Sequence, residues 1–288
     1  MPVVASSQIM ESLFGDIKRF QSILQRCIEY LILEYGGRTS LPEHFRVLPD
    51  RIICICPMVL CESLLADLGY SAPDDLLGPL GLSMYSISTH DDIVDERPID
   101  RQLVAGLLYA GNIASLHGIS LLNFNGYPEI AKEVVHLVNL NHCFQTDIVS
   151  SLWVEPKDEL EYLRAIQHTG YWAAIGPCVA VSYAGRPDLK DFAMKFGEHY
   201  GRMCQVYDDT REIDDDLQNG YYSLAISTAK KNGYDLNSSL GRAKAVKRSN
   251  EIAVQCFQQL SALCGSKFPQ LCRLVKLMDQ FGQQIAKT

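Results

Sequence analysis

Apolar residues recur every three or four positions from Ile9 to Leu33, the period of a helix that buries one face. Gly36-Gly37 ends that run as a helix stop would, and a polar loop with Pro42 and Pro49 follows. A second apolar helix is predicted from Arg51 to Leu68, interrupted or restarted near Pro57, which lacks a backbone donor. Ser71-Ala72-Pro73-Asp74-Asp75 is a start signal whose run leads into His90-Asp91-Asp92-Ile93-Val94-Asp95. Further helices are predicted from Ile99 to Leu122, from Pro128 to about Trp153, from Glu159 to Ala184 and from Leu189 to Leu217. Asn125-Gly126, Gly185-Arg186-Pro187-Asp188 and Asn219-Gly220 punctuate them, and shorter helices fill the stretch to Ile285. No strand alternation of useful length, internal repeat, low-complexity tract or long linker interrupts the pattern. It predicts an all-α, single-domain bundle of many antiparallel helices over residues 1–288, around a central cavity.

With 288 residues, 47% of them hydrophobic, the chain can bury a large core. Its net charge of −8 disfavours nucleic acid and anionic membrane surfaces as partners. No apolar run reads as a transmembrane segment, and the N-terminus lacks the basic start and long apolar core of a signal peptide. The ten cysteines include no C-x-x-C pair, and Cys54 with Cys56 is poorly spaced for zinc. Reduced, buried thiols and a cytoplasmic location are the expectation.

Two acidic clusters change the picture. Asp91 and Asp95 lie four residues apart, on one helix face. Asp208, Glu212 and Asp216 repeat that spacing along a second stripe. Carboxylates held this close repel one another and raise each other's pKa unless a cation sits among them. The runs before them, Leu80 to Ile87 and Met203 to Tyr207, are nearly uncharged and read as buried. Acids at the end of buried helical stretches suggest sites for a hard divalent cation such as Mg²⁺ rather than a solvated face. Asp214 and Asp215 read as solvated.

These residues resemble the trans-isoprenyl diphosphate synthase and class I terpene synthase superfamily. His90 to Asp95 resembles its first aspartate-rich motif, D-D-x-x-D. Gly201-Arg202-Met203-Cys204-Gln205-Val206-Tyr207-Asp208-Asp209 is similar to the signature G-x-x-F-Q-x-x-D-D. Asp216-Leu217-Gln218-Asn219-Gly220-Tyr221-Tyr222-Ser223-Leu224 resembles D-L-x-x-G-K-x-T-L, and Gln167-His168-Thr169-Gly170 stands where the family carries K-T-G. The resemblance implies an α-helical isoprenoid synthase-like bundle whose cavity holds a prenyl diphosphate, bridged to the two motifs by three Mg²⁺ ions. Asp91, Asp95, Asp208, Glu212 and Asp216 would bind metal, with Asp92 supporting. The superfamily's habit also makes a homodimer the partner expectation.

Departures from the pattern set the expected reaction. The family's G-G-K-R is Gly36-Gly37-Arg38-Thr39, its paired arginines are spread to Arg97 and Arg101, and its two motif lysines are His168 and Tyr221. A diphosphate needs several cationic donors, so a second diphosphate site looks depleted. The expectation is therefore a terpene synthase that ionises one prenyl diphosphate and cyclises or rearranges the cation. The alternative is a prenyltransferase that condenses an allylic diphosphate with isopentenyl diphosphate. Arg164, His168 and Arg101 are the diphosphate-binding candidates. Tyr85, Ser86, Phe144, Tyr171, Trp172, Gln205 and Tyr207 are the substrate-binding candidates, since aromatic faces stabilise cations. Each aromatic also reads as ordinary core packing.

Overall fold

The computed structural model describes residues 17–35, 52–95, 101–151, 159–220 and 222–285. The expected helix start at Ile9, the Gly36 to Thr39 segment, Pro42, Pro49, Arg97, Trp153 and Tyr221 lie outside them. So do the side chains of Asp92, Asp95 and Arg101. Among the described residues there is no strand, and the chain has the all-α fold that its periodicity predicts.

Residue contacts group the chain into two compact units, 1–139 with 174–193, and 140–173 with 194–288. The first holds α1 (Ile17–Tyr35), α2 (Ile52–Asp67), α3 (Asp74–Ser83), α4 (Tyr85–Asp95) and α5 (Arg101–Phe124). The start of α6 (Pro128–Ser151) and the end of α8 (Gln167–Tyr183) complete it. The second unit holds α7 (Glu159–Ala165), most of α9 (Lys190–Arg211), α10 (Ile213–Asn219), α11 (Leu224–Asn232), α12 (Ser239–Cys264) and α13 (Pro269–Ile285).

In the first unit α3 and α4 pack along α5, with α1 and α2 against α3. Glycines permit close crossings. A Cβ on Gly118 would lie 2.6 Å from the Pro79 carbonyl oxygen, and one on Gly111 would strike the Thr89 side chain. Ser115 adds a hydroxyl donated to the Ser83 carbonyl at 2.8 Å. Pro79 has no N–H, so the Asp75 carbonyl four residues back loses its helical donor, and the Asn125 amide supplies one at 2.8 Å.

Three expected helices differ in extent. Pro57 lies inside one continuous α2 rather than at a restart, because Cys54 to Cys61 are all buried and packing outweighs one lost hydrogen bond. The run from Asp74 to Asp95 is two helices, parted at Met84, whose N–H bonds back three residues to Gly81 at 3.1 Å. The Glu159 to Ala184 run parts at Ile166 in the same way, through Thr169 N–H to the Ile166 carbonyl at 3.2 Å. Among the described residues one stretch, Val104–Phe124 of α5, is long and apolar enough to cross a bilayer by length and composition, which is weak evidence and leaves no clear transmembrane segment.

All ten cysteines are free. Six are buried, and burial pushes Cys178 up to about 12 and Cys256 up to about 11.

Candidate active site

The first acidic motif closes α4. Tyr85 and Ser86, at 1% and 3% exposure, are enclosed in the first unit at the start of this helix. Thr89 is also buried, and its hydroxyl donates back to the Tyr85 and Ser86 carbonyls at 3.1 and 3.2 Å. The Gly111 contact on Thr89 fixes the turn immediately before His90 and Asp91. Burial lowers the His90 pKa, which keeps its imidazole neutral at pH 7. Asp91 is half-buried, and the backbone of Asp95 is one turn further on in the same helix.

The second motif spans the junction of α9 and α10. Helical geometry bends at Glu212, yet Glu212 N–H bonds the Asp208 carbonyl at 3.0 Å and Asp216 N–H bonds the Glu212 carbonyl at 2.8 Å. The four-residue spacing of Asp208, Glu212 and Asp216 therefore survives a break that the sequence does not announce. Asp208 is half-exposed and pairs with Arg211 at 2.6 Å, and Arg211 also holds Glu212. Asp214 and Asp215 are exposed, as expected, and Asp214 is paired with Arg242.

Asp209 plays a different part. At 6% exposure it is enclosed, and it accepts three hydrogen bonds. The donors are the Tyr162 hydroxyl, Gln205 Nε2 at 3.0 Å and Leu224 N–H at 2.9 Å. Burial raises its pKa, and those three donors oppose the rise. Leu224 opens α11, so Asp209 satisfies one of that helix's orphan N–H groups. Ser223 is the α11 N-cap, accepting from Ile226 N–H, and Gly220 ends α10 at a φ of 73°, where a side chain would be strained. Burial first, then the Asp209 carboxylate, push Asp216 up to about 7, against a bond from Ser223 that pulls it down. Glu212 and Asp208 add to the rise. This is an acid-rich turn whose mutual repulsion remains after Arg211 has taken its share.

The signature glycine acts by contact. A Cβ on Gly201 would land on the Thr169 carbonyl and the Gly170 nitrogen, and one on Gly170 would lie 3.0 Å from the Glu198 Cα. Helices α8 and α9 cross here backbone to backbone. On α8, His168 follows the Ile166 break, and burial pushes it down to about 4. It is neutral at pH 7 and does not replace the charge of a lysine. Its carbonyl accepts from Asn141 Nδ2 at 3.0 Å. Arg164, in the last turn of α7, is exposed.

The remaining candidates separate. Phe144 and Tyr171 form a ring pair with centroids 5.2 Å apart, and Trp172 is half-buried beside them in sequence. Gln205, expected to meet substrate, commits its amide to Asp209. Tyr207 is buried, donates to Asp279 Oδ1 at 2.7 Å and lays its ring against Gly282. The structure thus gathers Tyr162, Gln205, Asp208, Asp209, Glu212 and Asp216 in the second unit, and Tyr85, Ser86 and Asp91 in the first. Tyr162 and Asp209 are absent from the sequence-derived site. The spacing of Gln205 and Asp209, one helical turn apart, is the signal for half of that network.

No family profile matches the chain, and no curated protein matches it. Solved structures do. A decaprenyl diphosphate synthase from Rhodobacter capsulatus superposes with a TM-score of 0.74 at 14% identity, over 96% of this chain and 98% of that one. A polyprenyl synthase from Roseobacter denitrificans gives a TM-score of 0.73 at 13% identity, over 96% and 99%. A polyprenyl synthase from Caulobacter crescentus, complexed with calcium and isoprenyl diphosphate, gives 0.69 at 14% identity, over 94% and 96%. The chain has the all-α fold of the trans-isoprenyl diphosphate synthases.

Proposed function

We propose that residues 1–288 act as one isoprenoid synthase-like domain that ionises a prenyl diphosphate with divalent-metal assistance. The observation that carries this reading is the division of labour within Asp208-Asp209. One carboxylate is buried and fully bonded, and its neighbour is half-exposed, paired with Arg211 at the head of the Asp208, Glu212 and Asp216 stripe. Mg²⁺ takes one or two carboxylates and completes its shell with water and phosphate oxygens. Asp91 and Asp95 would hold metal on α4, with Asp92 supporting, and Asp208, Glu212 and Asp216 on α9 and α10. Three ions is the number that the superfamily resemblance implies. When bound, the metal would supply Lewis-acid stabilisation of the departing diphosphate. Arg164 would donate to the diphosphate oxygens, joined by Arg101. His168 would contribute only a neutral hydrogen bond. The paired Phe144 and Tyr171 rings, with Trp172, would face an electron-poor hydrocarbon chain.

Chain elongation with isopentenyl diphosphate is the first reading, supported by the similarity to polyprenyl synthases in fold. Ionisation and cyclisation of a single diphosphate is the second, favoured by the neutral His168 where the prenyl synthases carry a lysine. This order reverses the expectation from sequence. The test supplies Mg²⁺ and C10 to C25 prenyl diphosphates, each with and without isopentenyl diphosphate. Products are separated by gas chromatography–mass spectrometry before and after phosphatase. Longer prenyl alcohols, formed only with isopentenyl diphosphate, support elongation. A cyclic hydrocarbon or alcohol from one diphosphate supports the second reading. No turnover of any prenyl diphosphate overturns both.

A further inference from the structure

The chain carries eight more acids than bases, yet six of its 26 lysines and arginines fall within residues 224–251, against only Asp235 and Glu251. Helical spacing gathers several of them. On α11, Thr228, Lys231 and Asn232 share a face, and on α12 Lys244, Lys247, Arg248 and Glu251 do. These faces border a cleft of about 430 Å³ in the second unit, closed on a third side by Glu159 at the start of α7. It lies over a small apolar core that includes Ala225, Ala229 and Ala245.

Arg248 is the fixed wall of the cleft. Its guanidinium makes two bonds to Glu159, at 3.0 and 2.8 Å, and one to Glu251 at 3.0 Å. Those two carboxylates are consumed, and they are the only acids of the lining. Lys231, Lys244 and Lys247 then contribute three positive charges. Lys244 Nζ stands 5.5 Å from the Tyr234 ring, which positions the amine without neutralising it. Beneath them the hydroxyls of Ser227 and Thr228 are buried and have no hydrogen-bond partner among the described residues. Two enclosed hydroxyls without partners among the described residues, under three lysines, favour an acceptor-rich ligand. The lining offers one aromatic ring and no aliphatic wall, which excludes a prenyl tail.

We infer that this cleft binds a compact phosphate anion, inorganic phosphate or diphosphate, at a site separate from the acidic motifs. The inference does not depend on the proposed reaction. Its test is calorimetric titration of the full chain with sodium phosphate and with sodium diphosphate, in EDTA and without prenyl substrate, so that no divalent metal can recruit either anion to the acids. Binding of at least one anion is expected, and the tighter one identifies the source. Lys244→Gln with Lys247→Gln weakens it about tenfold or more, the effect of losing charge-assisted bonds. Glu251→Gln removes a nearby negative charge and tightens binding severalfold, a gain that misfolding cannot imitate. Absence of binding by both anions overturns the proposal. So does binding that the lysine substitutions leave intact, or that Asp208→Asn removes.

Discussion

In α4 the turn before Asp91 is located by shape: Gly111 leaves room for Thr89, whose hydroxyl donates within its own helix. In α9 the turn that bears Asp208 is located by charge and polarity. Its neighbour Asp209 is a buried carboxylate gripped by a phenol, an amide and the first N–H of α11. Shape fixes a helix cheaply but fixes only its distance from a neighbour. A buried carboxylate with three donors fixes three elements at once, and each lost partner leaves a desolvated polar group behind. The two acidic turns should therefore fail differently.

The largest expected effect is one they share. Asp91→Ala and Asp208→Ala each lower kcat/KM with a prenyl diphosphate by on the order of 10³ while the circular dichroism spectrum is retained. An Asp91→Ala enzyme with full activity removes α4 from the metal assignment.

Support is where the turns part. Asp209→Ala strands the Tyr162, Gln205 and Leu224 donors, and denaturant unfolding should report a loss of about 3 kcal/mol. Asp209→Asn keeps the shape and some of the bonds and costs less. Equal losses for the two variants would mean that packing, not polarity, holds this turn. Gly111→Ala, which presses on a side chain, costs about 1–2 kcal/mol, whereas Gly201→Ala, which presses on backbone, costs about 3 kcal/mol.

The smallest effect concerns pH. His168 has a folded pKa near 4, below the ordinary value of 6.5. Between those values the unfolded chain binds a proton that the folded protein does not, so stability rises with pH across this window. Its contribution is complete above pH 6.5 and lost as pH falls toward 4. His168→Gln should flatten the acid limb of a melting-temperature profile by an amount equivalent to on the order of 2 kcal/mol. An unchanged limb would mean that His168 is open to solvent.

The helical character of the chain was legible because apolar periodicity is dictated by burial, and burial is local in sequence. The breaks at Met84, Ile166 and Glu212 were not, because each keeps the apolar pattern in register and changes only the hydrogen-bond step from four residues to three, or the helix direction. The acid spacing was legible for the same reason as the helices. The separate duties of Asp208 and Asp209 were not, since adjacent residues on a helix point about 100° apart and only the packing of α7 and α11 decides which side is interior. Gln205 and Tyr207 read as substrate contacts from their place in the signature. Their partners, Asp209 and Asp279, are one turn away in the first case and 72 residues away in the second.

The crossing of Gly170 on Gly201 also sets a boundary for anyone who wishes to redesign this protein. Seven residues separate Gly201 from Asp208, two helical turns or about 10 Å along α9, and two separate His168 from Gly170 on α8. The contact works as an index pin, setting the height of Asp208 on α9 against His168 on α8. A combinatorial library at Phe144, Tyr171 and Trp172 would vary the side chains near the crossing and leave that register alone. A single methyl group at either glycine would slide the two helices, and every later round of selection would be spent recovering the register instead of changing the product.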